Sequence, residues 1–169
     1  MSTTDPLAVA AMVAYCGWDP TVAVIDKVDL LDGNGTALLA LDTLRLTAVS
    51  AVTVTDQWNN VHMLTVGPDT AGEDASWSAN GILRRLNGRV WPEGERNISV
   101  TWSGGYDEPP DDLLAAVASV SRRVSGPMFG ASLRKMGTAT VGFGKSFSEG
   151  DFLLIERMVF DRYRIPRVA

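Results

Sequence analysis

The chain reads as an α+β protein, a small helical bundle with an antiparallel β unit inserted between its first two helices. Three observations predict this. Apolar residues recur at helical spacing, with capping chemistry, near the N-terminus, after residue 108 and toward the C-terminus. Between residues 21 and 103 the period drops to two, punctuated by Gly and Asn turns. Nothing in the order of these stretches suggests a parallel βαβ scaffold.

The first helix is expected over residues 5–16. Asp5 can accept from the open N–H groups of the first turn, Pro6 suits the first helical position, and Gly17 supplies a left-handed stop. Its predicted buried face is Leu7, Ala10, Ala11 and Ala14, widened by Val9 and Val13. The β unit is expected over 21–103. Val22, Val24, Val28 and Leu30 should point one way, with Thr21, Lys27 and Asp29 opposite. Turn signals follow at Asp32-Gly33-Asn34-Gly35, Asn59-Asn60 and Asn87-Gly88, and Ile98, Val100 and Trp102 alternate as a core strand.

Pro109-Pro110-Asp111-Asp112 starts a second helix, 108–125, with Leu113, Val117, Val120 and Val124 as its stripe. Arg122 and Arg123 suit its negative end. Residues 126–147 read as a Gly-rich arm. A final helix and basic tail are expected over 148–165, capped by Ser148 with Asp151 three residues on. Phe152, Ile155, Val159 and Tyr163 form its apolar face.

Composition narrows the function. The 169 residues suit a single domain, 46% apolar and 21% charged, with a net charge of −5. That balance argues against wholesale disorder and against a strongly basic nucleic-acid binder. No apolar run reaches membrane-helix length, and the acidic start is unlike a signal peptide, so a soluble, intracellularly made protein is expected. One cysteine, Cys16, excludes an internal disulfide, and one histidine, His62, leaves no second imidazole for a metal or a relay.

Residues 139–146 (Ala139 to Ser146) resemble a phosphate loop, but Ala139 stands where the first glycine is needed. Cys16, near a helix C-terminus, has its thiolate disfavoured and reads as a buried apolar side chain. The carboxylates Asp107, Glu108, Asp111 and Asp112 have a sufficient job at a helix start. Asp69, Glu73 and Asp74 lack calcium-loop spacing. No catalytic set, cofactor or metal site is expected. Trp58, in a polar turn, suggests a contact with another protein, with burial against its own sheet as the alternative.

Several segments together carry a resemblance. They are Ala14-Tyr15-Cys16-Gly17-Trp18, Leu30-Leu31-Asp32-Gly33-Asn34-Gly35 through Leu46-Thr47-Ala48-Val49, and Asn80-Gly81-Ile82-Leu83 through Trp91-Pro92. Further on come Asn97-Ile98-Ser99-Val100-Thr101-Trp102, Gly105-Tyr106-Asp107-Glu108-Pro109-Pro110-Asp111-Asp112-Leu113 and Phe160-Asp161-Arg162-Tyr163-Arg164-Ile165-Pro166. In that order the chain resembles head-to-tail adaptor (head–tail connector) proteins of long-tailed, non-contractile phages, particularly those of actinobacterial hosts. It departs from many members in having one N-terminal helix in place of a longer pair.

The resemblance implies a non-enzymatic virion protein of the neck, assembled in the host bacterial cytoplasm. Such a protein forms a ring, usually twelvefold, on the portal protein. It extends the DNA channel, which DNA passes without sequence-specific binding, and offers a surface to the stopper or tail-completion protein. Portal docking is expected from Phe152, Ile155, Arg157, Val159, Arg162, Tyr163 and Arg164, where these three arginines and Arg167 accompany an apolar face. The alternative is internal packing of that face on the 113–124 helix. Trp58, Asp69, Glu73 and Lys145 are expected to meet a neighbour or the next ring. The competing readings are another neck protein, a stopper or tail terminator, and a small β-rich ligand-binding module or enzyme.

Overall fold

Local chemistry starts and stops the first helix, α1 (Pro6–Cys16), as its sequence dictates. The Asp5 carboxylate accepts from the Leu7 N–H at 2.9 Å, and Gly17, at φ 83°, donates back to the Val13 carbonyl. A computed structural model of the chain describes residues 5–68, 74–124 and 152–166. The protein is α+β, with three α-helices and two mostly antiparallel sheets among those residues. It divides into two compact units: Met1–Thr21 with Glu108–Ala169, and Val22–Asp107.

The helical unit contains α1, α2 (Asp111–Val124) and α3 (Leu154–Phe160), the last continued by a 3₁₀ turn, Asp161–Tyr163. α1 buries Ala8, Met12, Tyr15 and Cys16, and leaves Leu7, Ala10 and Ala14 exposed. The expected face is therefore wrong. The helix is apolar on every side, so spacing alone names no face, and the packed partner chooses. α2, with acidic residues on its first turn only, buries Leu113, Ala116, Val117, Val120 and Ser121.

The C-terminal segment is shorter and differently turned than its spacing suggests. α3 begins at Leu154, and the expected Ser148 and Asp151 caps lie outside the described residues. Glu156, in the first turn, accepts the Leu153 N–H at 2.9 Å in their place. Phe152 and Phe160 turn inward onto Tyr15, with ring centroids 5.3 and 6.2 Å from it and 5.2 Å from each other. Phe160 has no exposed surface, which stabilises the unit by about 1.5–3 kcal/mol. The Tyr15 hydroxyl donates to Asp161 at 2.6 Å, and the Trp18 indole N–H donates to the Tyr163 carbonyl at 2.6 Å.

Among the described residues, the β unit holds eight strands. β1 (Val24–Gly33), β8 (Gly94–Gly104), β3 (Leu46–Thr55) and β4 (Val61–Leu64) form one antiparallel sheet in that order. β2 (Leu38–Ala40), β7 (Ile82–Arg85), β6 (Ala75–Trp77) and β5 (Val66–Pro68) form the other, in which β5 and β6 run parallel. The Asp32–Gly35 turn thus passes the chain between sheets and closes no hairpin. Gly33 is needed there because a Cβ would strike the Pro92 carbonyl, while its N–H donates to Asn97 at 2.9 Å. Both sheets share one core, including Leu39, Val52, Leu83, Trp91, Val100 and Trp102.

The first sheet inverts one expectation. Asp29 and Leu31 of β1 stand opposite the core residues Val100 and Ile98, so they take the inner face. Val28 and Leu30, expected to be the buried set, are on the outer face. Asp29 is tolerated inside because Trp102 donates its indole N–H to it at 2.7 Å and Lys27 pairs with it at 3.1 Å.

In the helical unit, Glu156 is 1% exposed and ion-paired with Arg123 from the last turn of α2. Removing the cation leaves a buried carboxylate, so Arg123→Ala should lower the unfolding free energy by about 3 kcal/mol, the low end for such pairs because Arg123 is one-third exposed. Urea melts should also find that Arg123→Met with Glu156→Met recovers much of the loss. A double variant as weak as the single one would place the stabilisation elsewhere.

Candidate interaction surfaces

The C-terminal segment splits the residues expected to dock into two groups. Phe152 is buried in the aromatic cluster. Tyr163 donates its hydroxyl to Asp112 at 2.9 Å, and Arg164 lies 4.6 Å over the Tyr15 ring. These three hold the segment to its own unit. Arg162 is exposed and reaches Asp112 at 3.2 Å, a pair of little energetic weight at such exposure.

Ile155, Arg157 and Val159 stand on the open side of α3. Ile155 is 70% exposed, and beside it lie Leu154 at 76% and Met158 at 60%, neither singled out by the sequence pattern. Spacing places Phe152, Ile155 and Val159 together but says nothing of which helical face meets α1. Ile155 and Val159 border a groove of about 330 Å³ with Asp112, Ala115, Ala116 and Ser119 of α2. The small side chains of α2 leave this groove open and apolar. It can take an aliphatic or aromatic side chain from a partner, and Arg162 reaches its edge through Asp112.

In the β unit, Trp58 tips the β3–β4 connection and is 73% exposed. It flanks an open cleft of about 660 Å³ that also includes Val90, Trp91, Pro92 and Glu93. Asp56 builds the tip, accepting from the backbone N–H groups of Trp58 at 2.9 Å and Asn60 at 2.8 Å and from the Asn60 amide at 3.0 Å. His62 stands 3.3 Å from the same carboxylate, a partner that the sequence reading did not assign to it. The Asn60 side chain first, then the Asn60 amide, His62 and the Trp58 amide, hold the Asp56 carboxyl down from its ordinary 3.8 to about 2.

Asp69, Glu73, Lys145 and the partial phosphate loop at 139–146 lie outside the described residues, as does the arm at 126–147. Cys16 is fully buried, and burial pushes its thiol up to about 12. Among the described residues, no cluster of three or more His, Cys, Asp or Glu could hold a metal ion. No helix among them is long and apolar enough to cross a membrane.

The fold is similar to that of chains in gene transfer agent particles, two of them from the neck. Across 96% of its length the chain matches a chain in the neck of an empty gene transfer agent particle computed with C6 symmetry. That match has a TM-score of 0.53 and 17% identity, and covers 76% of the other chain. A chain in the neck of the native particle, computed with C12 symmetry, matches at TM-score 0.52 and 17% identity over 96% of this chain and 80% of that one. A chain in the virion of the native gene transfer agent particle matches at TM-score 0.52 and 18% identity over 96% and 75%. At these identities the likeness is one of fold. No family model matches the chain, and no curated protein matches it by sequence.

The Asp56 turn has a definite pH signature. Its folded value lies below the ordinary one, so the stabilisation is fully present above 3.8 and is lost as pH falls through about 2. Protection factors of the Trp58 and Asn60 amides should hold constant from neutral pH down to about that ordinary value, then fall. Asp56→Ala should show low protection at every pH. A variant with unaltered protection would mean that the turn does not depend on this carboxylate.

Proposed function

We infer that the chain is a structural protein of a virion neck, a ring-forming head-to-tail adaptor that docks on the portal protein. The observation that carries the reading is the fold match across 96% of the chain to proteins of particle necks computed with twelvefold and sixfold symmetry. Repeated head-to-tail contacts between identical subunits close into such rings when the rotation suits. The order of motifs along the sequence supports the adaptor position among neck proteins. On this reading the protein is non-enzymatic, extends the DNA channel, and presents its far side to the stopper or tail-completion protein. A net charge of −5 suits a conduit that passes DNA without gripping it. Assembly takes place in the host bacterial cytoplasm.

Portal docking falls to the open side of α3: Leu154, Ile155, Arg157 and Met158, with Val159 and Arg162 at its margin. Phe152 supports that surface from inside. Exposed aliphatic side chains beside an apolar groove, with Arg162 at its edge, suit a hydrophobic, acidic-edged segment of the portal. Trp58 at the tip of its turn suits a contact with a neighbouring subunit or the next ring.

Co-expression with the portal protein of the same genome, sized by light scattering, tests the reading. The wild-type chain should decorate the portal in a fixed ratio. Ile155→Glu with Met158→Glu alters only exposed positions, so the protein should melt as the wild type does while its portal affinity falls at least tenfold. Equal binding by both would retain the adaptor role and remove the α3 assignment. Failure of the wild-type chain to bind would point instead to a stopper or tail terminator, which meets a later ring. Truncation before Phe152 is a poor test, because it strips Phe152 and Phe160 from the core of the helical unit.

A further inference from the structure

Among the described residues, no strand pairs with the outer edge of β1 or of β4 in the first sheet, and these two edges match each other. β1 runs antiparallel to β8, β8 to β3 and β3 to β4, so β4 is antiparallel to β1 of the same sheet. A second copy, rotated about an axis roughly along the strands, would therefore bring its β1 antiparallel to the first copy's β4. Antiparallel extension is the stabler ladder, and it keeps the same face outward in every copy.

The lengths and side chains agree as well. Register shifts between Val24 and Lys27 and between Leu31 and Gly33 limit the regular edge of β1 to Lys27–Leu31, five residues against the four of β4. On the outer face β1 carries Val28 and Leu30, 59% and 49% exposed, and β4 carries Val61 and Met63, 66% and 74% exposed. Between them the face is small and uncharged, with Ser99 and Thr101 of β8 and Ala51 and Thr53 of β3. An unpaired edge strand with an exposed apolar face is a liability in a monomer and is ordinarily covered.

We propose that these edges join copies of this chain, β4 of one pairing with β1 of the next. The register that overlaps both apolar pairs sets Val28 opposite Met63 and Leu30 opposite Val61. The same register brings Asp29 opposite His62 on the inner face, so no like charges meet across the seam. The seam is about 13 Å long, and one such contact falls well short of the roughly 800 Å² per partner of a stable pair. Closure into a ring, where every copy is held twice, supplies what a single seam lacks. The ring geometry rests on the neck reading, whereas the seam stands on the edges themselves.

The test uses Leu30→Cys and Val61→Cys, separately and in one chain, with a short bis-maleimide. Cys16, the only native cysteine, is fully buried and stays silent. The experiment is run on concentrated protein alone and after mixing with the portal protein. The double variant should give a covalent ladder beyond the dimer, and neither single variant should link, because equivalent residues of neighbouring copies stand four strand spacings apart, about 19 Å. Adding Val28→Lys and Met63→Lys, both exposed, should abolish the ladder while the protein still melts as the wild type does.

Covalent dimers from either single variant would overturn the seam in favour of a twofold contact. A ladder that survives the lysines would overturn it too. Fixed-ratio portal binding without a ladder overturns the seam and spares the neck reading. A ladder without portal binding does the reverse, and absence of both removes both.

Discussion

Phe160 joins the end of the chain to its beginning, and the helical unit depends on that closure. Its ring packs edge-on against Phe152 and beside Tyr15 of α1. Around this contact the Ile165 N–H donates to the Cys16 carbonyl, the Trp18 indole N–H to the Tyr163 carbonyl, and the Tyr15 hydroxyl to Asp161. A seven-residue helix such as α3 has little stability of its own. It exists because the aromatic cluster holds one side and the buried Glu156–Arg123 pair holds its first turn to α2.

That closure also sets what remains available. Once Phe152, Glu156 and Phe160 face inward, the 3.6-residue period forces Leu154, Ile155 and Met158 outward. The apolar residues on the open side of α3 are thus a consequence of how the segment is anchored. A soluble monomer gains nothing by exposing them, whereas a subunit of an assembly does. The outer face of the first sheet has the same character: its apolar residues are solvent-facing because Asp29 and Leu31 have taken the inner positions.

Much of the candidate surface was hidden from sequence reading for one physical reason. Spacing specifies that Phe152, Ile155, Val159 and Tyr163 can share a helical face, but Phe152 precedes the helix and Tyr163 lies in the 3₁₀ turn beyond it. Glu156 was invisible as a core residue because a carboxylate is buried only where a cation meets it, and Arg123 lies 33 residues away. Trp58 was closer to legible. Asp56 and Asn60 flank it with turn chemistry, and a turn built by its own side chains leaves a bulky neighbour no interior to enter.

The sequence by itself determined where some elements begin or end. Asp5-Pro6 and Gly17 bound α1, Pro109-Pro110-Asp111-Asp112 starts α2, and Ile98, Val100 and Trp102 declare the inner face of β8. Each of these is a local matter, in which a residue's own backbone preference or its neighbour's side chain decides the outcome. Only the tertiary structure decided which side of the all-apolar α1 is buried, that Val28 and Leu30 face outward, and that α3 is short and turned on Phe160. Those choices depend on partners far along the chain, and burial is a property of two surfaces meeting, which no single stretch of sequence contains.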